Sequence, residues 1–344
     1  MSTIREVAKA AGVSPATVSH VLNGNTNFST KHETREKVWK AVNDLQYIPV
    51  STRSKKDGKG KEKSWNIGTV LYITVEKMSD PSFLAILQGI EFQLKKYNSS
   101  ISSFRVSHEI DEVIQSMADQ HIDGFICMQP LEPHHISKLK NICKHVVMID
   151  GYLPNCDSVS YDHYGIGEMA AQHFLSLGHQ RFAFMCGQDF TDPDPFQEQT
   201  LNAFRYTIQK AGAVLPEEFI LRIPKWRQSI AYTEVQQMMQ KDHPTALFCT
   251  SDLLAITSIG AINACGYKIP SDIALMGITN IEATSYTTPP LTTISLPLVE
   301  LGKKAADLLI ARLNGMATLP ERILYPTELI VRASTIGGSS PASF

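Results

Sequence analysis

The residues best suited to chemistry crowd one short stretch near the start of the chain. Ser14, Pro15, Ala16, Thr17, Ser19 and His20 alternate with Val18, Val21 and Leu22 at helical spacing. The apolar three face inward and the others face out. Hydroxyls on such a face bond phosphate oxygens, and a neutral imidazole gives or takes one hydrogen bond at a base edge. The chemistry is recognition, not bond making. Elsewhere His134 and His135 are adjacent, and Asp192 and Asp194 share a loop, but no nucleophile, base and acid fall at catalytic spacing. There is no glycine-rich phosphate loop. Cys127, Cys143, Cys156, Cys186, Cys249 and Cys265 are scattered singly, without metal-ligand spacing. These patterns predict no catalysis, no metal and no cofactor.

The recognition face needs two helices to hold it. Ile4, Val7, Ala8 and Ala11 share one face of a first helix, and Gly12 supplies the turn. Ser14 caps a second helix, with Pro15 at its first position. This is the pattern of a helix-turn-helix, whose second helix enters the DNA major groove. A plain helical hairpin shares the pattern, but two flanking features favour the reader. Thr30 to Glu33 has capping-box spacing, and Val38, Ala41, Val42 and Leu45 form a stripe, which predicts a third helix over 31–46. Charge is the other. Residues 1–64 hold 12 Lys and Arg against 6 Asp and Glu, although the whole chain is at net −2. The remaining residues are therefore acidic, and the basic excess sits where phosphates need it.

At 344 residues, 43% of them hydrophobic, the chain is long enough for two or three domains. It has no apolar run of membrane length and no leader pattern at its start, which predicts a cytoplasmic protein. Isolated cysteines in apolar segments fit buried thiols in a reducing compartment. The expected boundaries are a headpiece over 1–49, a linker rich in Ser, Lys and Gly over 50–65, a body over 66–336 and a small polar tail over 337–344.

In the body, strands alternate with helices. Strands are expected at 67–74, 102–106, 124–128 and 145–150, then at 181–186, 219–223, 246–250 and 273–278. Helices are expected at 83–94, 109–120, 138–142, 165–177, 197–211, 232–241, 252–265 and 298–313. Two such series predict an α/β body of two doubly wound parallel-sheet lobes behind an all-α head. Ligands bind such folds beyond the carboxyl ends of the strands, here the cleft between the lobes.

The first 49 residues, with the run Ala11-Gly12-Val13-Ser14, then Thr17-Val18-Ser19, then Leu22-Asn23 and Tyr47-Ile48-Pro49, resemble the headpiece of the lactose-repressor family of bacterial regulators. The resemblance continues through Asn66-Ile67-Gly68, Gly178-His179-Gln180-Arg181, Thr250-Ser251-Asp252-Leu253 and Pro289-Pro290-Leu291-Thr292-Thr293-Ile294. Asp80-Pro81-Ser82-Phe83 looks closest to members that control galactoside operons. The resemblance implies a body like the periplasmic sugar-binding proteins, two lobes crossed by three chain segments. It implies a homodimeric repressor on a palindromic operator in double-stranded DNA, released by a small sugar.

For the head, it implies base contacts from Pro15, Ala16 and His20, and phosphate contacts from Thr17, Ser19, Asn23 and Thr34, with Thr3 and Ser29 alongside. In the hinge, Arg53 is kept, but Lys55, or Lys56 in a frame one residue later, stands where the family's leucine wedge belongs, which implies weaker DNA bending. For the cleft it implies effector contacts from Ser79, Asp80, Phe83, Asp150, Trp226, Ser251 and Asp252. Asp252 also reads as a cap for the helix beginning at Leu253. Thr200 replaces a family Arg, and Thr279-Asn280 replaces an Asp pair. Losing both charges leaves a more neutral cleft, open to a smaller sugar or a non-sugar ligand. A plain solute-binding protein fits the body but not the head.

Overall fold

The computed structural model describes residues 4–22, 34, 37, 38, 40–42, 45, 64–72, 76–107, 110–118, 120–151, 155–188, 195–241, 243–316 and 319–336. The chain divides into two units, Met1–Lys61 and Glu62–Phe344.

In the first unit, helices α1 (Ile4–Ala11) and α2 (Pro15–Leu22) are joined at Gly12, whose φ is +66°. That backbone suits glycine and resists other residues. Val7, Ala8 and Ala11 pack with Val18 and Val21, and Val38, Ala41 and Val42 complete this core. Thr34, Lys37, Val38 and residues 40–42 are helical. The side chain of Leu22 lies outside the described residues.

The second unit holds two sheets. The first lobe comprises β1 (Asn66–Tyr72), α3 (Ser82–Lys96), β2 (Ser100–Ser107), α4 (Ile110–Ala118), β3 (Gly124–Cys127), α5 (Pro133–Ile142), β4 (Val146–Ile149) and β5 (Asp157–Tyr161). The second comprises α6 (His163–Ser176), β6 (Phe182–Gln188), α7 (Pro195–Lys210), β7 (Ile220–Pro224), α8 (Gln228–Met239), β8 (Ala246–Cys249), α9 (Asp252–Ala264), β9 (Ala274–Thr279) and β10 (Thr292–Ser295). The chain then returns to the first lobe with α10 (Leu298–Leu313) and β11 (Arg322–Tyr325), and ends in the second with β12 (Glu328–Ile330). It thus crosses between lobes three times. The sheet orders are β11-β5-β4-β3-β1-β2 and β12-β10-β9-β8-β6-β7. Every pairing is parallel except β10 with β12.

The helices follow from their apolar spacing. In α3, Phe83, Ile86, Ile90 and Leu94 are buried on one face. That face meets α10 at very close range. A Cβ on Gly89 would stand 2.1 Å from the Val299 carbonyl oxygen, and one on Gly302 would stand 2.1 Å from that of Ile86. In the second lobe Phe184, Phe204 and Phe248 form a buried aromatic cluster with centroids 5.5–5.8 Å apart. Full burial of such a ring contributes about 2–3 kcal/mol.

Four strands escape the sequence reading: β5, β10, β11 and β12. Asp157-Ser158-Val159-Ser160-Tyr161 and Thr292-Thr293-Ile294-Ser295 lack an apolar run, yet most of these residues are buried. Most of their hydroxyls are bonded inside the fold, Ser158 Oγ excepted. Thr292 Oγ1, for example, lies 2.9 Å from Thr335 Oγ1 and accepts from the Arg332 N–H at 2.8 Å.

Candidate functional site

On α2, the Thr17 N–H donates to Ser14 Oγ at 3.1 Å, so Ser14 caps the helix. The Thr17 hydroxyl lies 2.9 Å from Ser14 Oγ and is engaged locally. Ser14, Pro15 and Ala16 are exposed, and Thr17, Ser19 and Thr34 are half-buried. The outer face of α2 therefore carries these residues on a fixed apolar base. The backbone of His20 is helical, but its side chain lies outside the described residues. Thr3, Asn23, Ser29, Arg53 and Lys55 also lie outside them.

The second unit contains a cavity of about 460 Å³ between its lobes. The residues lining it follow the carboxyl ends of nearly every strand: Asp80 beyond β1, Met128 beyond β3, Asp150 beyond β4 and Tyr161 ending β5. From the other lobe come Phe196 beyond β6, Trp226 beyond β7, Thr250 and Ser251 beyond β8, and Thr279 ending β9. Two lobes whose strands point at one gap place loops from both sides around one ligand space. Leu298 and Leu301 of α10 and Ile86 of α3 add an apolar wall.

Asp150 is the most constrained group in the gap. Its Oδ1 lies 2.6 Å from His163 Nε2 and accepts from Ser160 Oγ at 3.0 Å, and its Oδ2 accepts from the Tyr161 hydroxyl at 3.1 Å. Burial pushes the carboxyl up, but the imidazole and the three hydrogen bonds outweigh it and hold Asp150 below its ordinary value. His163 sits between rings, with centroids 4.5 Å from Tyr161 and 4.8 Å from Phe196. It thus links the end of the first lobe's sheet to α7 of the second, at the first chain crossing.

Backbone strain collects here. Of seven non-glycine residues with positive φ among the described residues, five are Asp150, Lys225, Trp226, Thr279 and Asn280, all at the strand ends around the gap. Thr279, at φ 113°, is β-branched, and that conformation is unfavourable for it. Such residues cost about 1–3 kcal/mol each and cluster at functional sites. Trp226 is seated on Gly187. A Cβ there would lie 2.0 Å from the indole ring, so only glycine admits it.

Six of the sequence-derived cleft residues line the cavity: Asp80, Phe83, Asp150, Trp226, Ser251 and Thr279. Four do not. Ser79 is exposed on the surface outside it. The Thr200 hydroxyl donates within the fold, to the carbonyls of His163 at 3.1 Å and Phe196 at 3.2 Å. Asn280 Oδ1 accepts from Arg332 Nη2 at 2.8 Å, so this amide anchors an arginine. Asp252 is fully buried beneath the strands. It is not the cap expected of it. Ser251 caps α9 by accepting from the Leu253 N–H at 3.2 Å. Asp252 instead accepts from Thr293 Oγ1 at 2.6 Å, the Ile281 N–H at 2.9 Å and Thr279 Oγ1 at 3.0 Å. Burial pushes its carboxyl up to about 6 against those bonds. Among the described residues no group of His, Cys, Asp and Glu is arranged to hold a metal, and no helix is long and apolar enough to cross a membrane. The Cys127, Cys156 and Cys249 thiols are buried, and burial pushes each one up.

Comparison with known proteins bears on both units. Residues 3–50 match the bacterial regulatory proteins, lacI family, and residues 171–335 match the periplasmic binding protein-like domain. The HTH-type transcriptional repressor PurR of Erwinia tasmaniensis is 30% identical over 348 residues, covering 98% of both chains. The chain belongs to the LacI family of bacterial transcriptional regulators. The HTH-type transcriptional repressor MelR of Bacillus subtilis is 29% identical, covering 97% of both chains. The same fold occurs in the lac repressor dimer bound to operator and the anti-inducer ONPF, with a TM-score of 0.69 at 23% identity over 98% of this chain and 99% of that one. It occurs also in the transcriptional regulator CelR–cellobiose complex, with a TM-score of 0.69 at 23% identity over 97% of this chain and 100% of that one. These names do not single out one subgroup of LacI-family regulators.

The sequence reading missed Tyr161, His163, Phe196, Thr250 and the leucines of α10. Tyr161 and His163 flank the unrecognised end of β5. Their signal was the Asp162 cap, which accepts from the Gly165 N–H at 3.0 Å and marks where the LacI-family body changes lobes.

Proposed function

We propose that this LacI-family regulator is a repressor that binds a palindromic operator as a homodimer. A small sugar or sugar-like effector in the interlobe cavity changes its DNA affinity. The observation that carries the reading is the cavity itself: residues from both lobes, strained backbone and an indole held face-on by Gly187, in a chain whose head is a helix-turn-helix. In the head, Pro15, Ala16 and His20 read bases, and Thr17, Ser19 and Thr34 bond phosphates. In the cavity, Trp226 stacks on a ring face, and Asp80, Ser251 and Thr279 bond hydroxyls. Structures of this fold hold cellobiose or, at 24% identity, ribose, which supports a sugar by analogy alone. A cytoplasmic site of action follows from the DNA target.

An effector acts only if it binds one lobe arrangement better than another. The Asp150–His163 pair sits at the chain crossing, where such a preference alters the lobes. Band shifts on DNA upstream of the protein's own gene, with and without a sugar panel, test the proposal. A sugar-dependent change in affinity is expected. Absence of binding to any palindromic site contradicts it.

The alternative effector is a non-sugar. The apolar wall of Ile86, Leu298 and Leu301 and the bonding of Asp150 within the protein favour it over a small, uniformly polar sugar.

A further inference from the structure

Among the described residues that line the cavity, the charges are all of one sign. Among the described lining residues Asp80, Glu132 and Asp150 carry carboxylates, and there is no lysine, arginine or histidine. The three differ in how they are held. Asp150 is compensated by His163. Glu132 is largely exposed and lies 3.2 Å from His134. Asp80 is only 8% exposed, and among the described residues the one bond to its carboxylate is from the Ser82 N–H at 2.9 Å, to Oδ1. A buried carboxylate without a cation is costly, and among the described lining residues none supplies one; its partner is the N-terminus of α3, through the Ser82 N–H.

Across the gap, Thr250 is also 8% exposed and lines the cavity, and its buried hydroxyl has no hydrogen-bond partner. Buried hydroxyls are normally bonded. One lobe thus offers a negative charge without a cation from the described lining, the other an unused hydroxyl, and between them lies an apolar wall. A buried carboxylate facing this space repels an anion and favours a cation.

We infer that the ligand of this cavity is an amphipathic amine. Its ammonium pairs with Asp80, its polar part reaches Thr250, and its apolar body lies on Phe83, Ile86, Leu298 and Leu301. Phosphorylated and carboxylated molecules are excluded. The inference rests on the cavity being the effector site. It narrows the effector to an amine, such as an amino sugar with an apolar substituent.

The test uses three probes of one shape on the full chain: benzylamine, benzyl alcohol and benzoate, titrated by calorimetry at neutral pH. Benzylamine is expected to bind about tenfold tighter than benzyl alcohol, the scale of one charge-assisted contact, with benzoate weaker still. Asp80→Asn keeps the shape and the acceptor for Ser82. It is expected to bring the amine and the alcohol to near equality by weakening the amine more than the alcohol. Leu298→Trp, its fold checked by circular dichroism, is expected to block all three. Equal binding of all three, or a preference that survives in D80N, overturns the inference alone. Binding of none, or binding that persists in L298W, overturns the effector reading as well.

Discussion

Two aspartates at strand ends, one in each lobe, meet opposite fates. Asp150 follows β4, remains 23% exposed at its side chain, faces the cavity and is held below its ordinary value by His163 and two hydroxyls. Asp252 follows β8, is fully buried and is pushed up to about 6. Both accept three hydrogen bonds. The difference lies in the partners. Those of Asp150 include an imidazole at the chain crossing, so its bonds span the two lobes. Those of Asp252 are neutral hydroxyls and an amide from β9, β10 and the turn after β9, so its bonds hold one sheet edge. The first carboxylate ties the two lobes at their crossing, and the second holds one sheet.

Substitution is the largest test of this contrast. Asp252→Ala strands Thr279, Thr293 and the Ile281 N–H as buried donors, and is expected to cost about 3 kcal/mol or more in denaturant unfolding. Asp150→Ala is expected to cost less, because its own side chain is 23% exposed on the cavity and water can take its place, while uncoupling ligand binding from DNA affinity. Equal losses of stability would erase the distinction.

Acidity separates the two by sign. With Asp252 raised from 3.8 to about 6, the native state keeps a proton that the unfolded chain releases between those values. Its contribution to stability therefore falls as pH rises through that window, by up to about 3 kcal/mol. Asp150, lowered from 3.8, contributes above that value and loses its contribution as pH falls below it. Unfolding free energies from pH 3 to 7 should show the slope between 4 and 6 vanish in Asp252→Asn and persist in Asp150→Asn.

A glycine sharpens the cavity side of the comparison. Gly187→Ala drives a methyl group into the Trp226 ring. It is expected to cost about 1–3 kcal/mol and to weaken cavity ligands, while DNA affinity without ligand is retained. The smallest effect belongs to the head. Ser14→Ala removes the α2 cap and is expected to cost about 1 kcal/mol, read as weaker DNA binding with no change in the unfolding of the body.

Much of this fold was legible because its interior strands are apolar runs and its helices carry regular stripes. Phe182-Ala183-Phe184-Met185 and Phe83, Ile86, Ile90, Leu94 announce themselves. Strands built on buried hydroxyls did not, since Thr292 and Thr293 make no apolar run; Ser334, Thr335 and Arg332 close around the first, and Asp252 takes the second. The lining of the cavity was legible where it follows position at a strand end, as for Asp80, Trp226 and Ser251. It was hidden where a long-range partner decides. Nothing local distinguishes Asp252, which folds back under Thr293, from Asp150, which meets His163. Thr200 and Asn280 look like ligand contacts until the carbonyl of His163 and the guanidinium of Arg332 claim them.

The central claim is that a ligand in the interlobe cavity controls DNA binding by the head. Fluorescence anisotropy of the full chain on DNA upstream of its own gene, titrated with sugars and amines, measures this directly when wild type is compared with Trp226→Leu. At least one ligand should change the DNA affinity of the wild type and leave that of the variant unchanged, with both binding DNA equally in its absence. An identical ligand response in the variant would place the control elsewhere and contradict the account.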